Sequence, residues 1–199
     1  MDARPYLEEI TGQFALIGLK AILVGNSAAA LQGAPVTTLD FDFLIPRSLT
    51  TFTKLKQFAK AKNLVVYRPM TRAPQSFRLL RDRDQFQLDF HVHLDGIASH
   101  RTLATRASSI TFGGRPLLVS NLADVIISKR AAGRPQDLAI MPTLEDALTP
   151  PSRPHAKRPN LKEQFEIIRI AMFDSWLALP PERRTNFLRK RIGICSSAL

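Results

Sequence analysis

The sequence predicts an α+β domain in which helices flank a mixed β-sheet, and three stretches carry that prediction. Residues 23–45 are typical of a strand, a glycine turn, a short helix and a second strand. Residues 76–94 and 109–119 are typical of β-hairpins, because each divides into two strand-like runs around a short polar or glycine-rich turn. Helical periodicity in the neighbouring segments supplies the flanking helices.

Apolar spacing predicts the longer helices. Residues 4–19 have the spacing of an amphipathic helix, with Tyr6, Leu7, Ile10, Phe14 and Ile17 on its apolar face. Residues 48–63 are predicted to form a surface helix with Ser48 as its N-cap and an apolar stripe of Leu49, Phe52, Leu55, Phe58 and Ala59. Residues 121–132 are predicted to bury Leu122, Val125 and Ile126.

The remaining elements are short. They are a first strand over residues 21–24, a strand over 64–67, a loop over 68–75 and a helix over 99–106. Four prolines and the lack of a large apolar residue over 149–160 predict a linker, so that residues 1–148 form the main domain. Beyond the linker, residues 161–199 are predicted to form a basic helical extension that packs on the domain.

The composition favours a cytoplasmic protein that contacts polyanions. The single cysteine, Cys195, cannot form a disulfide within the chain, and no apolar run reaches the roughly 18 residues of a membrane helix. The N-terminus does not have the basic-then-apolar form of a signal peptide. The net charge is +11, and residues 153–199 hold 10 Lys and Arg against 4 Asp and Glu. This clustered excess favours contact with nucleic acid over a merely solubilising surface.

Two carboxylates follow the first glycine turn. Asp40 and Asp42 are two residues apart on a predicted strand, so both point to one face while the apolar residues between and beside them point to the other. Like charges this close repel, and a divalent cation that carries a polyphosphate relieves the repulsion. A bare Asp-x-Asp is more typical of an edge strand with one solvated face. The turn Gly25-Asn26-Ser27 favours the first interpretation, because a strand-to-helix turn offers backbone N–H groups to phosphate.

These residues resemble the nucleotidyltransferases of the polymerase-β-like superfamily, and most of all the AbiEii-type toxins of abortive-infection and toxin–antitoxin systems. Gly25-Asn26 is followed by thirteen residues and then by Asp40-Phe41-Asp42, which is the spacing of that family. Asn26 departs from the usual second Gly or Ser, and Val36 stands where such sequences often have a basic residue. The resemblance implies a polymerase-β-like nucleotidyltransferase core with the C-terminal helical extension added to it.

The strand over 85–94 has the clearest alternation in the chain, and it places Asp89 on a wholly polar face. In the resembling family a third carboxylate on a neighbouring strand faces the Asp-x-Asp pair, and Asp89 is the position that fits. His91 and His93 share this face. A His-x-His pair on a strand can bind zinc, although solvated histidines or substrate contacts at a cleft rim fit the neighbouring acids better.

Lys129 falls within the apolar stripe of the helix over 121–132, whereas Asp124 and Ser128 lie off it. A lysine in that position either extends along the core to the surface or reaches an anion or a carboxylate. Residues 122–138 closely match a second AbiEii-like block, which comprises a Lys, then Gly-Arg, then Asp-Leu. The matches together cover about residues 20–148.

The resemblance implies a specific division of roles. Asp40, Asp42 and Asp89 would bind Mg²⁺, with two ions expected, and Asp89 would help to deprotonate the attacking hydroxyl. Gly25, Asn26 and Ser27 would contact the phosphates of an NTP co-substrate. Lys129 would be a catalytic residue that neutralises phosphate charge, and Arg134 or Asp137 would orient Lys129 or the acceptor. The expected reaction moves a nucleoside monophosphate from an NTP to RNA, with tRNA ends among the candidates, or to a protein side chain.

Two other functions fit parts of the sequence. Asn26 and Val36 favour a binding module or antitoxin that keeps the fold with little catalysis and acts through protein–protein contacts, whereas the toxin would have an antitoxin partner. The third function is that of a small-molecule nucleotidyltransferase of the antibiotic-resistance type. The charge of +11 argues against it, because aminoglycosides are themselves cationic.

Overall fold

A computed structural model of the protein describes residues 3–36, 38, 40–67, 75–81 and 86–149. The predicted linker, apart from Thr149, and the C-terminal extension lie outside the described residues, as do Leu39 and nearly all of the loop predicted over 68–75. In the part of the chain that is described, no helix has both the length and the apolar composition needed to cross a lipid bilayer.

Seven strands within the described residues form one mixed sheet in the order β3-β4-β5-β2-β1-β7-β6. The strands are β1 Ile22–Val24, β2 Phe41–Leu44, β3 Val65–Tyr67, β4 Ser76–Arg81, β5 Phe86–His91, β6 Ser108–Phe112 and β7 Arg115–Val119. The pairs β2/β5 and β1/β7 are parallel, and the other neighbouring pairs are antiparallel. The predicted mixed sheet and both predicted hairpins are therefore confirmed.

Helices accompany the sheet along the chain. They are α1 Ala3–Ile17, α2 Gly25–Leu31, α3 Leu49–Ala61, α4 His100–Ala104, α5 Leu122–Ala132, α6 Pro135–Ala139 and α7 Met141–Leu148. The predicted N-cap is confirmed, because Ser48 Oγ accepts a hydrogen bond from the backbone N–H of Thr51 at 3.1 Å. Asn121 caps α5 in the same way through the N–H of Asp124 at 2.9 Å. The sequence analysis did not separate α6 and α7, which follow Gly133 as two short helices.

Apolar side chains bury both faces of the sheet. The larger core includes an aromatic cluster in which the rings of Phe14 and Phe43 lie 5.2 Å apart and those of Phe43 and Phe90 stack at 5.4 Å. Ile22, Val24 and Leu44 point to the opposite face, where they pack with Ile97 and Leu103 in a smaller cluster. Since Asp42 alternates with Phe41 and Phe43, it lies on the face of the smaller cluster.

Two sequence predictions were wrong in detail, and one burial was not predicted. Leu49 is 86% exposed, because it is the first residue of α3 and points into solvent, and Thr51 is buried in the first turn instead. The burial that was not predicted is that of Asp124, which Arg106 covers with a bidentate ion pair that includes a 2.6 Å contact. Strand β5 ends at His91 and not at Leu94, because the chain turns back there, with a bridge between Leu94 and Ile97.

Candidate active site

A cleft of about 880 Å³ opens on the sheet face that carries Asp42. Its walls come from the β1–α2 junction, from β2, β4 and β5, and from α5 and α6. Eight of the nine residues predicted to form the site line this cleft, and they are Gly25, Asn26, Asp40, Asp42, Asp89, Lys129, Arg134 and Asp137. Ser27 does not line it. The Ser27 side chain is buried, and its hydroxyl donates to the Val24 carbonyl at 3.1 Å, so only its backbone could serve a ligand.

The sheet register brings the three predicted carboxylates together. Asp42 on β2 is paired directly with Asp89 on the adjacent parallel strand β5, and Asp40 immediately precedes β2. The side chain of Gln87 connects the group, because its Nε2 donates to Asp40 Oδ2 at 3.0 Å and to Asp89 Oδ2 at 3.3 Å. We refer to Asp40, Asp42 and Asp89 as the carboxylate cluster.

The ionised form of Asp40 is disfavoured within the carboxylate cluster. Burial of Asp40, together with the charges of Asp42 and Asp89, raises the pKa of its carboxyl from 3.8 to about 6. The hydrogen bond from Thr38 Oγ1, at 3.1 Å, and the charge of Arg78 act in the opposite direction without overcoming this effect. A positive ion placed at Asp40 would therefore be stabilised by its surroundings.

Asp89 has a partner that the sequence analysis did not identify. Arg78 on β4 lies directly opposite Asp89 in the β4/β5 register. Its Nε donates to Asp89 Oδ1 at 2.7 Å and its NH2 group donates to Asp89 Oδ2 at 2.5 Å, which is the bidentate geometry of a strong charge-assisted pair. The predicted hairpin did not reveal this pair, because strands over 76–81 and from residue 85 onward pair position 78 with position 88, one residue away from the observed register.

His91 also belongs to this region. Its Nε2 lies 3.0 Å from Asp42 Oδ1, a hydrogen bond in which the imidazole donates to the carboxylate. His93 is about half exposed, and its Nε2 is 3.6 Å from Asp95 Oδ1. The two histidines therefore contact different carboxylates. Their placement agrees with contacts at the cleft and gives no support to a shared zinc ion.

The turn at Gly25 fits only glycine. Its φ of +68° is in the left-handed region, and a Cβ added there would lie 2.4 Å from Asp42 Oδ2. The Asp42 carboxylate thus packs against the backbone at the start of α2. Val36, by contrast, is buried in the larger core. A basic side chain at that position could not stay in the core, so the departure from the family pattern at Val36 is a packing feature of this chain.

A second set of charged residues lines the same cleft. Lys129 Nζ donates to Asp137 Oδ1 at 2.8 Å, and Arg134 Nε donates to Asp137 Oδ2 at 2.6 Å. Lys129 therefore reaches a carboxylate, as one of its two predicted alternatives required. The Asp137 and Lys129 side chains are 5% and 12% exposed, whereas Arg134 is 63% exposed. We refer to Lys129, Arg134 and Asp137 as the ion-pair cluster.

The ion-pair cluster has the opposite electrostatics. Burial alone would raise the pKa of Asp137, but hydrogen bonds from Lys129 and Arg134 outweigh burial and lower the pKa below its usual value. Asp137 is thus a neutralised carboxylate that fixes the positions of two cations. The exposed guanidinium of Arg134 keeps donors available to the cleft.

The donor atoms bear on whether a metal could bind. Among the residues that the structure describes, no three side chains of His, Cys, Asp or Glu are gathered closely enough to enclose an ion. Mg²⁺ does not need such a cage, because it usually binds one or two carboxylates and completes its octahedron with water and substrate phosphates. Asp40 and Asp42 offer that pair of hard oxygen ligands, and the raised pKa of Asp40 indicates a deficit of positive charge beside it.

Comparison with solved structures identifies the fold. No protein-family model matches the sequence, and no curated protein matches it either. The lincosamide antibiotic adenylyltransferase LnuA superimposes with a TM-score of 0.51 at 12% identity, over 72% of this chain and 96% of that one. ANT(2")-Ia in complex with adenylyl-2"-tobramycin superimposes with a TM-score of 0.53 at 14% identity, over 88% and 99%. The predicted nucleotidyltransferase fold is confirmed, and the AbiEii-type branch stays a prediction.

Proposed function

We propose that the protein is a Mg²⁺-dependent nucleotidyltransferase that moves a nucleoside monophosphate from an NTP to an acceptor. One observation carries the proposal: Asp40 and Asp42 share a cleft with the Gly25 turn, and burial together with the neighbouring carboxylates raises the pKa of Asp40 to about 6. Such a pair is unfavourable by itself and becomes favourable when a divalent cation binds. The shared fold with two adenylyltransferases supports this reading.

Each part of the cleft has a role in this reaction. Asp40 and Asp42 would hold the cation, which would supply positive charge against the phosphate oxygens of the NTP during phosphoryl transfer. Gly25 lets the phosphates approach the backbone without a clash, next to Asn26 and the backbone of Ser27. Lys129 and Arg134, held in place by Asp137, would neutralise phosphate oxygens.

Asp89 has a different task from the one the resemblance implies. Both of its carboxylate oxygens accept hydrogen bonds from Arg78, and a third bond comes from Gln87, so little of its acceptor capacity remains for an attacking hydroxyl. In the geometry observed, Asp89 holds the guanidinium of Arg78 at the wall of the cleft. An acceptor phosphate or the α-phosphate of the NTP would meet a fixed positive charge there.

For the acceptor we propose RNA. The support is the net charge of +11, of which residues 153–199 contribute 10 basic residues against 4 acidic ones. LnuA and ANT(2")-Ia are antibiotic adenylyltransferases, so a small-molecule acceptor is the competing proposal. A cationic aminoglycoside would be repelled by the field of this chain, whereas RNA would be attracted.

Label transfer distinguishes these possibilities. The protein is incubated with Mg²⁺ and each α-labelled NTP, together with total RNA, tobramycin, lincomycin or no acceptor. We expect labelled RNA from the wild type and none from Asp42→Asn, with Asp95→Asn as the matched control, because Asp95 is an exposed carboxylate of the same cleft. Label on an antibiotic alone would show that the acceptor is a small molecule and not RNA. If neither an added acceptor nor the protein itself becomes labelled, the result would contradict the nucleotidyltransferase proposal and favour the binding module.

The C-terminal basic residues supply a separate test of RNA binding. Arg189, Lys190 and Arg191 lie outside the described residues, and their replacement together by Gln should weaken RNA binding and leave NTP binding unchanged. Each phosphate contact that is lost should lower the slope of log affinity against log salt by about one. Equal affinity and equal slope in the wild type and the triple variant would show that these residues do not contact the acceptor.

A toxin role is the finest level of the proposal and follows from the AbiEii-like blocks at residues 25–42 and 122–138. Induced expression of the wild type should then arrest bacterial growth, whereas Asp42→Asn should not. Arrest by both proteins would mean that the effect does not depend on nucleotide transfer. An antitoxin partner should bind the toxin and restore growth.

A further inference from the structure

The Arg78–Asp89 pair is fixed by the sheet and does not depend on side-chain flexibility. Strands β4 and β5 are antiparallel, and the pairing runs without a break from Ser76 opposite His91 to Arg81 opposite Phe86. Arg78 and Asp89 are direct cross-strand neighbours inside this register, where opposite charges stabilise each other. The Asp89 side chain is 10% exposed, so little water competes with the guanidinium.

The oxygens of Asp89 are nearly all used. A carboxylate offers about four acceptor positions. Arg78 Nε occupies Oδ1, and Arg78 NH2 and Gln87 Nε2 share Oδ2, at 2.7, 2.5 and 3.3 Å respectively. Among the described residues, Asp42 accepts a single side-chain hydrogen bond, from His91, and is therefore much freer to bind an ion. The carboxylate cluster thus contains two acids that can accept a cation and one that already has one.

Formal charge supports the same division. Three ionised carboxylates and the guanidinium of Arg78 give the cluster a charge of −2, which a single divalent cation neutralises. The hydrogen bond to Asp89 raises the pKa of Arg78 more than burial lowers it. The guanidinium therefore stays charged at every pH at which the protein is folded. A second divalent cation at Asp89 would have to displace this permanent charge.

We infer that the Arg78 guanidinium occupies the position beside Asp89 that a second metal ion would need. The protein therefore binds one divalent cation, on Asp40 and Asp42, and not the two that the resemblance implies. The inference rests on the proposed function, because it concerns the same cleft and the same cation. It makes Arg78 a positioning residue and assigns Asp89 to Arg78 and not to a metal.

Counting bound ions tests the inference without using activity. Equilibrium dialysis against Mn²⁺, with a saturating non-hydrolysable NTP analogue, should give one ion per wild-type chain. Arg78→Gln removes the charge and leaves Asp89 with only the longer Gln87 bond to Oδ2, so the count should rise to two. Arg78→Lys keeps the charge and should stay at one. Arg130→Gln is the charge-matched control, since Arg130 pairs with Glu145 away from the cleft, and it should also stay at one.

Each outcome has a distinct meaning. Two ions in the wild type would overturn the inference and leave the nucleotidyltransferase proposal intact. No bound ion in a wild type with a normal melting curve would overturn both. A count of one in both the wild type and folded Arg78→Gln would show that Arg78 does not limit the number of ions. If Arg78→Gln does not fold, the Asp89→Asn variant decides. The inference predicts that Asp89→Asn still binds one ion, whereas an Asp89 that is a metal ligand predicts that the variant loses the bound ion.

Discussion

The carboxylate cluster and the ion-pair cluster line the same cleft, yet their buried acids have opposite properties. Asp40 has a pKa raised to about 6, because burial and the neighbouring acids disfavour its charge. Asp137 is also buried, but Lys129 and Arg134 lower its pKa below the usual value. In the part of the chain that the structure describes, Lys129 and Arg134 both donate to Asp137, whereas no lysine or arginine side chain donates a hydrogen bond to Asp40 or Asp42.

This difference separates residues that keep the cleft in shape from residues that await a ligand. A buried acid with two cationic partners contributes to stability, and the loss of a partner should weaken the fold. Acids that repel each other destabilise the empty protein, and their removal should harm function without harming the fold. Each of the following predictions tests that contrast.

The largest effect is expected at Asp42. Asp42→Asn keeps the shape of the side chain and removes one of the two proposed metal ligands, so nucleotide transfer should fall on the order of 10³-fold. The melting temperature of the metal-free protein should stay the same or rise, because a repulsive charge has been removed. Steady-state transfer assays and thermal melting measure the two effects. Full activity in Asp42→Asn would contradict the assignment.

Lys129→Met should have the reverse profile and destabilise the fold. The substitution leaves the Asp137 carboxylate buried with one partner, at an expected cost of about 3 kcal/mol in the free energy of unfolding. Arg134→Met is the matched control, because Arg134 contacts the same carboxylate from a 63% exposed position and should cost less than about 1 kcal/mol. Equal costs in urea denaturation would show that burial does not distinguish the two partners.

The stability of the metal-free protein should depend on pH through Asp40. Its folded-state pKa of about 6 exceeds the unfolded value of 3.8, so the folded state binds the extra proton between these values. This contribution to stability is complete below about pH 4 and is lost as the pH rises through 6, by about 3 kcal/mol in total. The difference in unfolding free energy between wild type and Asp40→Asn should follow this window. A difference that does not vary between pH 4 and 7 would contradict the raised pKa.

The smallest effect is expected at Gly25, and it separates backbone strain from crowding. Gly25→Ala and Gly114→Ala both place a side chain at positive φ, +68° and +76°, which costs about 1–2 kcal/mol in each case. Only at Gly25 would the new Cβ meet Asp42, whereas nothing lies within 4 Å at Gly114. Gly25→Ala should therefore cost more stability and also reduce nucleotide transfer. An equal fall in melting temperature for Gly25→Ala and Gly114→Ala, with unchanged nucleotide transfer in Gly25→Ala, would show that Asp42 moves aside freely.

Much of the cleft was predictable from local patterns. Alternation in the strands β2 and β5 put Asp42 and Asp89 on polar faces, and the period of α5 put Lys129 among buried residues. These predictions succeeded because a side chain's direction follows from its position in a regular element. The resemblance to nucleotidyltransferases added the proximity of Asp89 to the Asp40–Asp42 pair, which local patterns do not contain, since the parallel pairing of β2 with β5 joins distant segments.

The residues that the sequence analysis missed depend on contacts between elements. The burial of Asp124 was not predicted, because a helical stripe counts only apolar positions, whereas Arg106 from outside the helix covers and neutralises this carboxylate. The Lys129–Asp137 pair spans the end of α5 at Gly133, so helical periodicity does not contain it, and only the resemblance indicated that Asp137 or Arg134 could orient Lys129. Arg78 was missed because the predicted hairpin register pairs position 78 with position 88, and a shift of one residue moves a side chain to the other face of the sheet.

The most direct test is to locate the bound cation. Crystals grown with Mn²⁺ and a non-hydrolysable NTP analogue should show an anomalous peak between the carboxylates of Asp40 and Asp42, with Lys129 still bound to Asp137. The same experiment on Asp42→Asn should show no peak at this position. The opposite result is a peak in the wild type at Asp137, or at Asp95 beside His93, with none between Asp40 and Asp42. It would contradict the claim that Asp40 and Asp42 bind the cation while the ion-pair cluster is neutralised by Lys129 and Arg134.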